Sequence, residues 1–450
     1  MAVWSIVDFQ EVQQTLRYDA EYYRPEYREN VAFLRSLDSC PVVPLKEKLL
    51  ALSGGATPLG ANYPATGIPF LRVQNIMPGY LDLSDVEYIE PEMHRRQLAR
   101  SRLLPGDVLL TITGMSYGKA AYVTSALGEA NINQHSVRMA FSSDLVPEYV
   151  AMFLNSRFGK LQSDKLITGI TRPALNYEDI KSILIPVLPM SQQLAIKELA
   201  QQAEKARQDA TRLYAEADSL LLQELGLGRM ALPTAKTYTA PFTEVMAAER
   251  MDAEFFRPQH RFILEHLRNN FAGRTLGELG TVTKGKTPAE YVETGIPVVR
   301  SGDLSDIDAT ASFLRADPAD VRFELQVGDV LISSIGFGSI GKVQVFNSPA
   351  RHTTVNEVTV VRQQALNPYY LRTFLASPLG QIQIESWVTG ATGQLHLNPK
   401  DVMKIVVPMV APAIQAQFET LYVEAQRLKL EAVELLAAAQ QRVEEFIQST

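Results

Sequence analysis

The sequence predicts an α+β protein. Two homologous mixed α/β domains are expected, each followed by a long helix, with the two helices packed as an antiparallel coiled coil of pseudo-twofold symmetry. Three observations predict this. The string Arg17-Tyr-Asp-Ala-Glu-Tyr-Tyr-Arg-Pro25 returns as Arg250-Met-Asp-Ala-Glu-Phe-Phe-Arg-Pro258, differing only at Tyr18/Met251 and in two Tyr-for-Phe exchanges. Short β-rich runs punctuated by Gly, Pro and Asn fill the region after each copy. Two long stretches without Gly or Pro carry apolar residues at heptad spacing.

The duplication extends along the chain in one order. Gly55-Ala-Thr-Pro58 pairs with Gly285-Lys-Thr-Pro288, and Thr66-Gly-Ile-Pro-Phe-Leu-Arg72 with Thr294-Gly-Ile-Pro-Val-Val-Arg300. Pro105-Gly-Asp-Val-Leu-Leu110 matches Val327-Gly-Asp-Val-Leu-Ile332, and Gly118-Lys119 matches Gly341-Lys342. Asn133 is set against Asn356, Phe153-Leu154 against Phe374-Leu375, Thr168-Gly169 against Thr389-Gly390, and Leu175-Asn176 against Leu397-Asn398. The offset drifts only from 233 to 221 residues, as loop deletions in a duplicated module produce.

The expected domains are 1–190, a helical spacer at 191–228, 229–412, and a second spacer at 413–450. Strands are predicted at 108–113, 136–141, 330–334 and 355–361. Helices are predicted at about 20–37, 253–269, 147–161 and 368–384. The strands are too short and too irregularly spaced for a doubly wound sheet. Pro189-Met-Ser191 supplies a proline stop and a serine N-cap, and no Gly or Pro follows until Gly226. The first seam runs through Ile196, Leu199, Ala203, Ala206, Ala210, Leu213, Ala217 and Leu220. After Pro412 the second runs through Ile414, Phe418, Leu421, Ala425, Leu428, Ala432, Leu435 and Ala439. A stripe of this kind also suits a helix lying on its own domain, but two matched stripes favour mutual pairing. Such a seam is about 50 Å long.

At 450 residues the chain exceeds one ordinary core. Its composition, 46% apolar and 21% charged, is that of a globular protein. The single Cys40 excludes a disulfide framework and a cysteine metal cluster. No apolar run reaches the ~18 residues of a membrane span, and no signal peptide opens the sequence, so a cytoplasmic protein is expected. The net charge of −7 disfavours a basic nucleic-acid binder while leaving room for a local groove.

No string carries catalytic chemistry well. Gly336-Phe-Gly-Ser-Ile-Gly-Lys342-Val343 nearly matches a phosphate loop, but Val343 lacks the hydroxyl that would hold magnesium. The six histidines show no metal-ligand spacing, and no metal is expected. No Gly-x-Ser-x-Gly elbow is present. Asp179-Ile-Lys181 resembles the end of a nuclease motif, but its counterpart Asp401-Val-Met-Lys404 changes the spacing. No Asn/Asp-Pro-Pro-aromatic string of amino-methyltransferases occurs. The chain is expected to be no enzyme, with no catalytic residue and no cofactor of its own.

Polar recognition chemistry remains. Asp107 and Asp329 recur beside Gly and read best as turn aspartates bonding their own backbone. The candidate DNA contacts are Arg72, Gln74, Asn75, Arg95, Arg96, Arg100, Arg102, Tyr117, Lys119, Asn133, Gln134, Thr171 and Arg172 in the first copy. In the second they are Lys284, Lys286, Arg300, Ser301, Ser339, Lys342, Asn356, Thr392, Gln394 and His396. Such side chains suit phosphates and base edges, although Arg72 and Arg300 fit structural ion pairs equally and the arginine cluster fits a solvated face. A framework kept while loop side chains change is what two readers of different sequences would need.

The chain resembles the specificity subunit of Type I restriction–modification systems. The resemblance spans essentially the whole chain. It is carried by Thr66–Arg72 and its copy, Leu104-Pro-Gly-Asp-Val-Leu109, and Leu175-Asn-Tyr-Glu-Asp-Ile180 leading into Ile185-Pro-Val-Leu-Pro-Met-Ser-Gln-Gln193. The second copy departs at Pro408-Met-Val-Ala-Pro-Ala-Ile-Gln415. The resemblance implies two target-recognition domains, each reading half of a bipartite, asymmetric site in double-stranded DNA. It implies helices that set the spacer and dock two methyltransferase subunits, with restriction subunits joining them. S-adenosylmethionine and ATP would be used by those partners. A scaffold built on the helices, without DNA reading, is the alternative that the residues leave open.

Overall fold

A computed structural model describes residues 4–58, 60, 63–169, 173–228, 232–233, 235, 237–305, 307, 313–336, 338–390 and 395–449. The chain forms two compact units, residues 1–205 with 431–450, and residues 206–430. The boundary between them falls inside each long helix.

The first unit is built on a four-stranded antiparallel sheet ordered Leu49–Gly54, Ser136–Phe141, Val108–Thr111, Ala120–Tyr122. All four residues of Val108–Thr111 are buried, which explains its unbroken apolar run rather than an alternating one. Ile68–Leu71 pairs antiparallel with Glu87–Ile89 and parallel with Asn131–Ile132. Val42–Pro44 pairs with Leu184–Pro186. The second unit repeats the main sheet as Gly280–Lys284, Val358–Gln363, Val330–Ser333, Val343–Val345, and pairs Arg274–Thr275 with Val406–Val407. Its core gathers Ile263, Leu267, Val330, Tyr370, Phe374 and Val406. Each such buried side chain contributes about 1.5–3 kcal/mol relative to exposure.

The helix expected at 147–161 is two helices, Pro147–Asn155 and Arg157–Leu166, and that at 368–384 is Pro368–Ala376 and Pro378–Trp387. Ser156 and Ser377 sit extended between them, their hydroxyls bonding Phe153 and Phe374 carbonyls. The corner is tight. A Cβ at Gly159 would meet the Phe153 carbonyl oxygen at 2.3 Å, and one at Gly380 the Phe374 oxygen at 2.4 Å. The early helices also start later than expected, at Pro25 and Pro258, because proline occupies their first turn.

The long helices are Met190–Glu224 and Pro412–Gln448. Ser191 lies inside the first helix rather than at its cap; the Gln192 and Gln193 amides both bond the Pro189 carbonyl. At the far end Gly226 takes φ +65°, and the Leu227 amide reaches back to Leu222, a Schellman closure.

In the second unit the helix segments run oppositely. Tyr214 meets Tyr422 with ring centres 5.7 Å apart, while Leu220 and Gln223 share a cleft with Leu421 and Gln417. In the first unit, residues 190–205 of one helix are grouped with 431–450 of the other, the start of one with the end of the next. The buried stripe on the first helix runs through Ile196, Ala200, Ala203, Ala206, Ala210, Ala217 and Leu221, and Leu225 just past its end is buried too. On the second it runs through Phe418, Tyr422, Ala425, Ala432, Leu436, Ala439, Val443 and Ile447. Leu199, Leu213, Leu220, Ile414, Leu421, Leu428 and Leu435 are half-buried. A straight helix drifts from a heptad by about 20° per repeat, and part of each stripe faces a globular body: Leu221 and Leu225 join the core around Tyr370.

Two buried glutamines attach the helices. Gln193 accepts from the Val146 amide at 2.8 Å and donates to Leu188 and Asp144 carbonyls at 2.8 and 2.9 Å. Gln415 accepts from the Asn367 amide at 2.7 Å and donates to Val410 at 2.8 Å. The less typical helix start of the second copy therefore makes the same attachment.

Candidate nucleic-acid interface

One end of each main sheet is covered by polar loops stitched together through the backbone. In the first unit Gly55 donates to Ser136, Ala56 to Ile132, Ile112 to His135, Leu175 to Ile112 and Gly114 to Pro173, all at 2.9–3.3 Å. Thr168 and Ala174 exchange both main-chain bonds at 2.9 Å and close the base of a loop. These stitches bring Thr57, Thr113, Gln134 and His135 together. Thr57 bonds Gln134, Thr113 Oγ1 lies 2.7 Å from His135 Nδ1, and Gln134 Nε2 lies 3.1 Å from His135 Nε2.

The second unit repeats the stitching. Gly285 donates to Val358, Lys286 to Thr354, Ser334 to Glu357 and Leu397 to Ser334, at 2.8–3.0 Å. Thr287 Oγ1 donates to Asn356 Oδ1 at 3.0 Å. His396 bridges to Thr389 and Ile335.

The backbone bonds correct one sequence pairing. Gly55 meets Ser136 as Gly285 meets Val358, so Gln134, not Asn133, is the counterpart of Asn356. Asn133 corresponds to Val355 and is buried, its Oδ1 accepting from the His135 amide at 3.2 Å. On this register Gln134 stands against Asn356, His135 against Glu357, Thr113 against Ile335, Ala174 against His396 and Ala56 against Lys286. Four of these backbone bonds recur one for one in the two units, and the side chains on that framework differ.

Other candidate residues lie in structural roles. Arg72 pairs with Asp85 at 3.5 Å and Glu87 at 3.1 Å. Gln74 donates to Asp85 at 2.7 Å, and Asn75, buried, donates to Asp82 and Asp85 carbonyls. Arg102 clamps the His94 and Arg95 carbonyls at 3.0 and 2.6 Å. Arg96 pairs with Glu92 at 2.7 Å; Arg95 and Arg100 are exposed. Ser53 Oγ bonds the Arg100 carbonyl at 3.1 Å, which sets that turn beside the strand entering Gly55. Arg300 pairs with Asp303 and Ser301 is half-buried.

The glycine turns divide likewise. Tyr117 donates to Asp164 at 2.8 Å under Lys160, and burial together with that carboxylate raises its pKa. Lys119 is half-buried. Ser339 bonds the Ile335 carbonyl at 3.0 Å, while exposed Lys342 reaches Ser305 at 3.1 Å. Lys284 is half-buried at the end of its strand and Lys286 is exposed. Thr171, Arg172, Thr392 and Gln394 lie outside the described residues.

The repeated string pairs its charges at short range. Asp19 is gripped by Arg17 and Asp252 by Arg250, whereas Arg24 pairs with Glu21 and Arg257 with Glu254. A two-residue spacing lets a fork of two N–H groups meet both carboxylate oxygens. Lys181 likewise pairs with Glu178 at 2.8 Å, not with Asp179.

Sequence reasoning missed His135, which no periodicity singles out, and the arginines opposite Asp107 and Asp329. Among the described residues no three of His, Cys, Asp or Glu converge as metal ligands. Among them also, no helix is long and apolar enough to cross a membrane.

No protein-family model matches the chain. The chain is 24% identical over 202 residues to the Type I restriction enzyme EcoKI specificity subunit of Escherichia coli (strain K12), a match covering 42% of this chain and 41% of that one. It thus spans about two fifths of that curated relative's length. The Type I restriction–modification S subunit of M. genitalium aligns over 92% of this chain and 98% of its own, at 13% identity and TM-score 0.46. The HsdS subunit of Thermoanaerobacter tengcongensis aligns over 91% and 97%, at 18% identity and TM-score 0.32. By its motifs and its curated match, the chain resembles the specificity subunits of Type I restriction–modification systems.

Proposed function

We propose that the chain is the sequence-reading subunit of a Type I restriction–modification complex, and not itself a catalyst. Each unit reads one half of a bipartite, asymmetric target in duplex DNA through the loops at the end of its main sheet. The long helices set the spacer and dock two methyltransferase subunits, with restriction subunits joining that assembly. S-adenosylmethionine and ATP are consumed by those partners.

One observation carries the reading. Four backbone bonds of the loop framework recur one for one in the two units, while Gln134/Asn356, His135/Glu357 and Ala174/His396 differ on it. Identical scaffolds with different polar side chains suit two readers of two sequences, because base edges are distinguished by donor and acceptor pattern. A scaffold protein without DNA contact would have no use for that difference.

The test is an exchange of residues 229–412 for those of a relative with another specificity, read by methylome sequencing. One half of the methylated site is expected to change while the other half stays. Alteration of both halves, or of neither, would remove the modular reading. Inserting one heptad in each long helix should lengthen the spacer and leave both half-sites intact.

A further inference from the structure

The best-preserved string in the chain takes no part in the recognition faces described above. At its head Arg17 is largely buried, its side chain 18% exposed. Its Nε and Nη2 meet the two carboxylate oxygens of Asp19 at 2.7 Å each, and its guanidinium lies 4.6 Å from the centre of the Tyr22 ring. The same fork reaches onward. Nη2 donates to the Ile167 carbonyl at 3.2 Å and Nη1 to that of Leu166 at 3.4 Å.

Those carbonyls end the helix Arg157–Leu166, where the last turn has no internal donors. One residue later Thr168 pairs with Ala174, and Ala174 also bridges to Thr113 on the recognition face. Arg17 therefore holds the point from which that loop springs.

The second unit reaches the same place by another contact. Arg250 grips Asp252 at 2.5 and 2.7 Å and lies against the rings of Phe255 and Trp387, the latter the last residue of Pro378–Trp387. It shares a cavity of about 750 Å³ with Val388, Thr389 and Gly390, and Thr389 pairs with His396. One of the two Tyr-for-Phe exchanges, Tyr22/Phe255, is explained: the arginine uses the ring face, so the hydroxyl is dispensable there. Lysine could not replace the arginine, because it offers no planar fork.

We propose that the repeated segment is a positioning device. Arg17 and Arg250, each held by the aspartate two residues on, set the base of the recognition loop in their own unit and govern discrimination in one half-site without touching DNA. The proposal rests on the DNA-reading function above.

The test uses the full chain with its methyltransferase partner and the variants Arg17→Ala and Arg17→Lys. Amide exchange at 166–169 and 174–175 is measured together with selection from a randomised duplex pool. Exchange at those residues is expected to quicken by about ten-fold or more. Preference should fall by a similar factor in one half-site only, with the other half-site and affinity for a non-selected duplex unchanged. Arg17→Lys should move both readouts the same way by less, and it carries the test if Arg17→Ala does not fold. Unchanged exchange, or equal loss in both half-sites, overturns the proposal. A wild-type complex that selects no sequence would instead overturn the DNA-reading function, leaving amide exchange to decide whether Arg17 sets the loop.

Discussion

Arg138 Nη2 donates to Asp107 Oδ1 at 2.7 Å, and the other carboxylate oxygen accepts from the Leu104 amide at 2.7 Å. Asp107 is 2% exposed, so both oxygens are satisfied inside the protein. In the second unit Asp329 takes the Gln326 amide at 2.8 Å and a two-pronged bond from Arg362 at 2.7 Å. The arginine has moved. By strand register Arg138 corresponds to Val360, and Arg362 lies two residues farther on the same face. The pair survived a change of position because alternation along a strand returns a side chain to the same side every second residue.

Removing the arginine should be worse than removing both partners. Arg138→Ala leaves a buried carboxylate unpaired and is expected to destabilise the first unit by about 3–5 kcal/mol. Asp107→Asn with Arg138→Met should recover much of that loss. Denaturant unfolding of the single and double variants checks this, and a double variant no better than Arg138→Ala would contradict it.

Gln193 should act as a hinge pin for the first long helix. Gln193→Ala leaves the buried Val146 amide without its acceptor, a loss of about 1–3 kcal/mol. Exchange of the Val146 amide should accelerate while that of Asn367 stays as in wild type. Gln415→Ala should give the converse pattern, so the two variants control for each other.

The Arg17–Asp19 and Arg250–Asp252 pairs predict an acid limb of stability. Hydrogen bonding from the arginine holds each aspartate below its ordinary range. A carboxyl whose folded pKa is depressed contributes stability above its unfolded value, and that contribution is lost as pH falls through the folded value. Melting temperature should therefore drop more steeply below about pH 4 in wild type than in Asp19→Asn/Asp252→Asn. Parallel curves would show that the pairs contribute nothing.

On the recognition faces, Gln134→Ala and Asn356→Ala should each relax preference in a different half-site. A lost bidentate base contact is worth about 1–3 kcal/mol of discrimination. Competition binding with duplexes altered one half at a time reads the effect. Relaxation of the same half-site by both substitutions would contradict separate readers.

Much of the fold was legible because duplication and periodicity are local signals. The paired strings revealed two copies, the buried run at Val108–Thr111 reads directly as a strand, and Gly226 marks the end of a helix. The sites were less legible. Arg72 fits a phosphate ligand and a structural ion pair equally until Asp85 and Glu87 are seen beside it. Asn133 looks like the partner of Asn356 until backbone bonds to Gly55 and Gly285 shift the register by one. Residues brought together from different loops leave no period to read.

The sequence by itself determined that there are two copies, that each is mixed α/β, and that each ends in a long helix with an apolar stripe. Those properties follow from spacing between near neighbours, where turn chemistry and a 3.6-residue or two-residue repeat are decisive. Only the tertiary structure decided which polar side chains meet: Thr57 with Gln134, Thr113 with His135, Arg17 with the Ile167 carbonyl. The physical reason is distance along the chain. Arg17 and Ile167 are 150 residues apart, and only the packed helices and sheets between them bring the guanidinium to the carbonyl.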